Sequence, residues 1–156
     1  MANLIGVTRQ FRTEEACLAY LEAIRWPSGL ACLKCGSVKV AKTVSTVKAR
    51  RDRKDGTKKG DTIGKRYVYD CLEADCRHQF TATTGTIFHD THLPLPLWFM
   101  AVALMCDGKK SISALQLQRS LGIGSYRTAW YLAHRIRKAL EQGAGGPFRG
   151  QVEAET

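Results

Sequence analysis

Apolar residues recur at helical spacing in the first and last parts of the chain, and a different pattern separates them. Thr13 followed by Glu14 and Glu15 predicts a helix start: a hydroxyl caps free N–H groups, and acids sit in the positive first turn. Cys17, Leu18, Leu21 and Ile24 continue it, and Trp26-Pro27 ends the run because proline lacks the N–H a helix needs. Pro96 suits the first turn of a second helix, with Leu97, Trp98, Met100, Ala101, Leu104 and Met105 as its broad apolar face. Asp107-Gly108 stops that helix, and Lys109 and Lys110 lie where a helix C-terminus favours cations. Ser113 and Gln116 have capping-box spacing for a third helix containing Leu115, Leu117 and Leu121, with Gly122 as its stop. Ser125 caps a fourth, whose core stripe is read as Ala129, Ala133, Ile136 and Leu140. Beyond Gln142 the chain is Gly-rich and aperiodic, so a mobile tail is expected.

Between the helical parts the segment from Gly29 to Phe80 carries two β-prone stretches, Val38–Val47 and Arg66–Cys71. They flank Lys48–Lys65, a polar tract with almost no apolar residues, and together they predict a hairpin with a long tip. The expected fold is therefore small α+β: a β-hairpin flanked by an N-terminal helix and a C-terminal three-helix unit. In residue ranges this gives an N-terminal helix at 1–28, the hairpin region at 29–92, the three helices at 93–142 and a tail at 143–156.

Cysteine spacing adds a metal to this picture. Cys32 and Cys35 form a C-x2-C knuckle with Gly36 permitting the tight turn, and Cys71 and Cys76 form a second pair four residues apart. Thiolates at such spacings reach one tetrahedral zinc ion from two turns, and a polar hairpin has little apolar surface with which to close by itself. The expectation is a zinc ribbon with a structural Zn2+ on Cys32, Cys35, Cys71 and Cys76. His78 is an alternative fourth ligand, and a pair of buried thiols is the bland reading of Cys71 and Cys76. Four protein ligands leave no open position for water, so the zinc is not expected to be catalytic. Cys17 and Cys106, on apolar helical faces, are read as packing thiols.

The 156 residues include 24 Lys and Arg against 14 Asp and Glu, a net charge of +10 that suits a polyanionic partner. No stretch reaches the roughly 18–20 apolar residues of a membrane span, and Met1–Arg12 lacks a signal-peptide core. A reducing cytoplasmic setting without membrane association is expected, and it favours metal ligation by the cysteines over disulfides. Much of the charge falls on the tip: Lys48, Arg50, Arg51, Arg53, Lys54, Lys58 and Lys59, then Lys65 and Arg66. A basic finger of this kind follows a phosphate backbone through counterion release, whereas the bland reading is a solvated loop. Only Tyr67 and Tyr69 stand nearby to stack on bases, which favours phosphate contact over single-strand stacking.

The stretch Ser113–Trp130 also has a helix-turn-helix pattern, an apolar helix, a Gly-containing turn and an apolar Ile123 tying the turn to the core. Its last helix opens with polar Ser125, Tyr126, Arg127 and Thr128, the positions that face base edges in such a motif, with Tyr131 and Arg135 further along. Trp130, beside the stripe, is read as packing. An ordinary helical hairpin is the bland alternative.

Several ordered motifs carry a family resemblance. They are Arg25-Trp26-Pro27-Ser28-Gly29, the Cys32/Cys35 knuckle, Tyr69-Asp70-Cys71 and Cys76-Arg77-His78-Gln79-Phe80. Thr83–Leu95, Trp98-Phe99, Lys110–Leu117, Thr128-Ala129-Trp130 and His134-Arg135-Ile136-Arg137 complete the set. With these the chain resembles the N-terminal region of bacterial insertion-sequence transposases, which join a zinc ribbon and a helix-turn-helix to a DDE-type catalytic domain. The resemblance implies double-stranded DNA as the partner, with RNA or a larger nucleoprotein effector as further candidates. The family's second knuckle usually has two intervening residues rather than four, and its hairpin tip is shorter. The family also continues into a Val-Glu-x-Asp-Glu-Thr strand, where this sequence reads Val152-Glu153-Ala154-Glu155-Thr156 without the Asp. No catalytic residues are therefore assigned, and DNA binding without strand cleavage is the expectation. An adaptor docking onto a protein or ribonucleoprotein through its ribbon is the alternative.

Overall fold

The computed structural model describes residues 4–47, 64–107 and 112–141. Among them run α1 (Leu4–Gln10), α2 (Glu14–Arg25), β1 (Val40–Val47), β2 (Gly64–Cys71), β3 (Gln79–Phe80), α3 (Leu95–Asp107), α4 (Ala114–Leu121) and α5 (Tyr126–Glu141). This is a small α+β fold with five helices and one antiparallel sheet of order β1-β2-β3 among the described residues. It falls into two units, Ser28–Ala82 around the sheet and a helical unit built from the segments on either side. No described helix is long and apolar enough to cross a membrane.

Short-range hydrogen bonds set the helix ends. Thr13 Oγ1 accepts the Ala16 N–H at 3.2 Å, so α2 starts where a hydroxyl replaces the missing partner. Ser113 and Gln116 form the reciprocal capping box of α4, and Gly122 ends that helix in the left-handed region at φ 64°. The start of α3 is satisfied from a distance: Glu14 Oε2, at the head of α2, accepts the Leu95 N–H at 2.9 Å. Burial raises the Glu14 carboxyl above its usual range, and the Leu95 hydrogen bond offsets only part of that rise.

The helical unit closes over one continuous core that includes Phe11, Leu21, Phe88, Trp98, Phe99, Leu117, Leu132 and Ile136. Phe99 lies at its centre, 4.5 Å from the Phe11 ring and stacked on Phe88 at 5.6 Å. Residues 83–92, grouped above with the hairpin, supply Ile87 and Phe88 to this core. Hydroxyls hold that turn-rich stretch. Thr86 Oγ1 donates to the Thr83 carbonyl at 2.7 Å and accepts from the Phe88 N–H at 3.2 Å. Thr91 Oγ1 accepts from Trp98 Nε1 at 2.7 Å. The N-terminal helix, set apart above as its own segment, shares this core through Cys17 and Leu21.

Three apolar assignments change. Leu140, expected in the α5 stripe, is 45% exposed, while Leu132 is buried beside Ala129, Ala133 and Ile136. The stripe is real, but α5 outruns the core it packs on, so its last apolar position reaches solvent. Cys106, expected to pack, is exposed near the end of α3. Trp130 is 44% exposed instead of packed; its ring meets His134 at 3.9 Å between centroids.

In the sheet unit the β1–β2 ladder runs without a bulge from Val40↔Cys71 to Val47↔Gly64. Opposite residues share a face, so Lys42 and Val44 stand with Tyr69 and Tyr67, and β3 adds Phe80 opposite Tyr69. Tyr69 is fully buried and stacks on Phe80 at 5.5 Å, which removes it as a base-stacking group. On the other face Asp70 accepts hydrogen bonds from Thr43 at 3.3 Å and Gln79 at 2.8 Å.

Candidate metal centre and exposed helix face

Two turns bring the cysteines together. In the first, the Gly36 N–H donates to the Cys32 carbonyl at 3.0 Å and Gly36 takes φ 74°, a left-handed conformation that glycine adopts without strain. The Lys34 N–H points at Cys32 Sγ, 3.4 Å away. In the second, the Cys76 and Arg77 N–H groups both donate to the Glu73 carbonyl at 3.1 Å, and Arg77 takes φ 39°. Cys71 joins from the last rung of β2, its N–H bonded to the His78 carbonyl at 3.0 Å.

The sulfurs of Cys32 and Cys76 are 3.8 Å apart and those of Cys35 and Cys71 3.6 Å, with all four within 4.8 Å of one another. A tetrahedron of thiolates about 2.3 Å from a zinc ion has edges of about 3.8 Å, so the quartet fits structural zinc. The wide second spacing does no harm to this geometry. His78 is not in the cluster; its ring stacks on Phe80 at 5.8 Å. When bound, the ion ties the two turns together, and four thiolates leave it no site for water.

Without an ion, the clustered thiols are unequal. Burial opposes ionisation of Cys32, but N–H groups of Cys35 and Lys34 and the neighbouring thiols outweigh it and bring its pKa down to about 6. Cys71, despite a favourable backbone contact at Glu73, is pushed up to about 12 by burial and by its neighbours. Cys17 is different in kind: burial and the Glu14 charge raise it to about 12, and its Sγ lies 3.8 Å from the Phe11 carbonyl. It is an inert packing thiol.

Residues 12–79 match the family described as Transposase zinc-ribbon domain. The ribbon is similar to that domain. A protein of Halobacterium salinarum described as an uncharacterized protein in transposable element ISH50 is 26% identical over 133 residues, 85% of this chain. The chain spans 38% of that relative's length. No solved structure matches.

The sequence-assigned nucleic-acid residues divide into two groups. Lys48, Arg50, Arg51, Arg53, Lys54, Lys58 and Lys59 lie outside the described residues. The others lie at α5, whose buried Ala129, Leu132, Ala133 and Ile136 define its inner side. Ser125, Tyr126, Arg127 and Tyr131 are exposed, with Tyr131 60% accessible, and Thr128 is half-buried at the flank. Arg135 is partly committed within the unit. It donates to the His89 carbonyl at 3.0 Å, and its guanidinium lies 5.6 Å from the Trp98 ring. Arg137 likewise donates to the Ile112 carbonyl at 2.7 Å. Two groups escaped the sequence: the Trp130–His134 ring pair on the outer side, and Glu73, which accepts from Ser37 Oγ at 3.0 Å. The i, i+4 spacing of Trp130 and His134 was the available signal for the first.

Proposed function

We propose that this chain binds double-stranded DNA, with α4, the Gly122 turn and α5 acting as a helix-turn-helix. The observation that carries the proposal is the division of α5. Its inner side is fully buried, while its first turns turn Tyr126, Arg127, Trp130 and Tyr131 outward, the placement a recognition helix needs in the major groove. The similarity to a transposase zinc-ribbon domain, and the relative's place in a transposable element, support DNA as the polyanion that the +10 charge calls for.

Roles follow from position. Arg127 is placed for a bidentate contact to guanine, with Ser125, Tyr126, Thr128 and Tyr131 around it. The tract Lys48–Lys59 on its zinc-pinned ribbon adds phosphate contacts that carry no sequence information. Arg135, partly held by His89, has N–H groups left for phosphate.

The test is binding-site selection from random duplex DNA with wild type, Arg127→Ala and Arg135→Ala. Arg127→Ala is expected to lose about 1–3 kcal/mol of discrimination at one base pair. Arg135→Ala is expected to weaken all sequences about equally. If Arg127→Ala selects the wild-type site with undiminished preference, α5 does not read DNA and the adaptor reading takes first place.

A further inference from the structure

The two turns of the ribbon share one backbone bond, an N–H donating to the carbonyl four residues before it, with one substitution in the pattern. Gly36 follows Cys35 at φ 74° and bonds back to the carbonyl of Cys32, a member of the quartet. Arg77 follows Cys76 at φ 39° and bonds back to the carbonyl of Glu73. Glu73 thus stands at the backbone position that a cysteine holds in the first turn, and the corresponding thiol comes from Cys71, two residues earlier on β2. The four-residue spacing arises from this displacement.

The Glu73 carboxylate does not join the sulfurs: among the described residues only the four cysteines bring their ligand atoms together there. It reaches across to the other turn. Its Oε1 accepts from Ser37 Oγ at 3.0 Å and pairs with Lys39 Nζ at 3.3 Å. Ser37 in turn accepts the Cys32 N–H on its carbonyl at 2.8 Å, and its Oγ accepts the Lys39 N–H at 3.2 Å. The Leu72 N–H donates to the Lys39 carbonyl at 2.9 Å, beside the carboxylate link. Every contact joins residues 32–39 to residues 71–77 or tightens one of those stretches.

We propose that Glu73 is a positioning residue for the metal centre: its carboxylate, through Ser37 and Lys39, locks the two turns in register and slows the loss of zinc. Of its two partners Ser37 carries more of the effect, because the Lys39 ammonium is largely exposed and solvent screens the pair.

The experiment uses the whole chain loaded with zinc as wild type, Glu73→Ala, Glu73→Gln and Ser37→Ala. Transfer of zinc to the chelator 4-(2-pyridylazo)resorcinol is timed for each. Glu73→Ala is expected to release zinc about 10-fold faster or more, within the range for groups that support metal ligands. Glu73→Gln, which keeps an acceptor for Ser37 without the charge, is expected between it and wild type, and Ser37→Ala is also expected to be faster. Cobalt-loaded proteins are expected to keep one and the same four-thiolate charge-transfer spectrum, because no ligand has changed. Wild-type release rates from Glu73→Ala and Ser37→Ala together overturn the proposal. A cobalt spectrum altered by Glu73→Ala also overturns it, since Glu73 would then be a ligand. Should Glu73→Ala not fold, the other two variants decide: faster release supports the lock, and wild-type rates from both refute it.

Discussion

The helical unit buries an unbroken cluster of side chains from Phe11 to Ile136, whereas the described residues of Ser28–Ala82 bury only Cys32, Tyr69, Cys71, Phe80 and Ala82. Two of those five are thiols of the metal quartet. One unit is held by hydrophobic burial, the other by a few contacts and a site that fits zinc. Perturbations should therefore act on one unit and spare the other, and the chain carries its own reporter for this. Its three tryptophans, Trp26, Trp98 and Trp130, all belong to the helical unit.

The largest effect should come from the metal. Structural zinc contributes about 10–16 kcal/mol of apparent binding energy at neutral pH, more than a ribbon of this size replaces by burial. Chelation, or Cys35→Ser, is expected to abolish amide-exchange protection along β1 and β2 while tryptophan emission stays native. Loss of both signals together would show that the helical unit depends on the ribbon, and the comparison would fail.

Next comes Leu117→Ala, which empties a fully buried position in the helical core. It is expected to cost about 2–5 kcal/mol by denaturant unfolding followed through tryptophan, with zinc content unchanged. Zinc lost in step with that transition would break the comparison from the other side. Ser113→Ala removes the hydroxyl half of the α4 capping box, the acceptor for the Gln116 N–H, and should cost about 1 kcal/mol in the same assay.

The smallest effect belongs to Glu14. Its carboxyl is raised in the folded state, so the folded chain binds that proton more tightly than the unfolded chain does. The stability this group contributes is fully present below its unfolded pKa and is lost as pH rises through the folded one. Glu14→Gln keeps an acceptor for Leu95 and has no charge to desolvate. Its stability at neutral pH is expected within about 0.5 kcal/mol of wild type or above it. The loss of stability with rising pH that Glu14 contributes should be absent from Glu14→Gln, so its melting temperature gains on wild type as pH rises through the acid range; an unchanged difference would mean that Glu14 is not the group responsible.

What the sequence made legible was local. Thr13, the Ser113/Gln116 box and Gly122 act over three or four residues, and structure places each where the spacing put it. The cysteine quartet was legible because ligand chemistry fixes both residue type and spacing. Contacts between distant residues were hidden. Glu14 meets Leu95 across 81 positions and Arg135 meets His89 across 46, and no periodicity signals either pair. α1 was missed because its seven residues have no acidic first turn and no buried position of their own. Leu132 and Leu140 both lie near the inner side of α5, and only the extent of the core decides which one it covers. Trp130 misled because its residue type suggests packing, while its angular position on α5 turns it outward.

The β1–β2 ladder has one further consequence. Cys71 is both a sulfur of the quartet and the partner of Val40 at the last rung. A slip of one residue would turn Tyr69 out and Asp70 in, which burial alone forbids. A slip of two keeps every side chain on its proper face, so burial hardly resists it. That slip carries Cys71 about 7 Å along the strand, farther than the 4.8 Å that spans the whole cluster. Metal capture thus acts as a checksum on strand pairing: a hairpin zipped two places out of step bonds along most of its length, yet it cannot close the site.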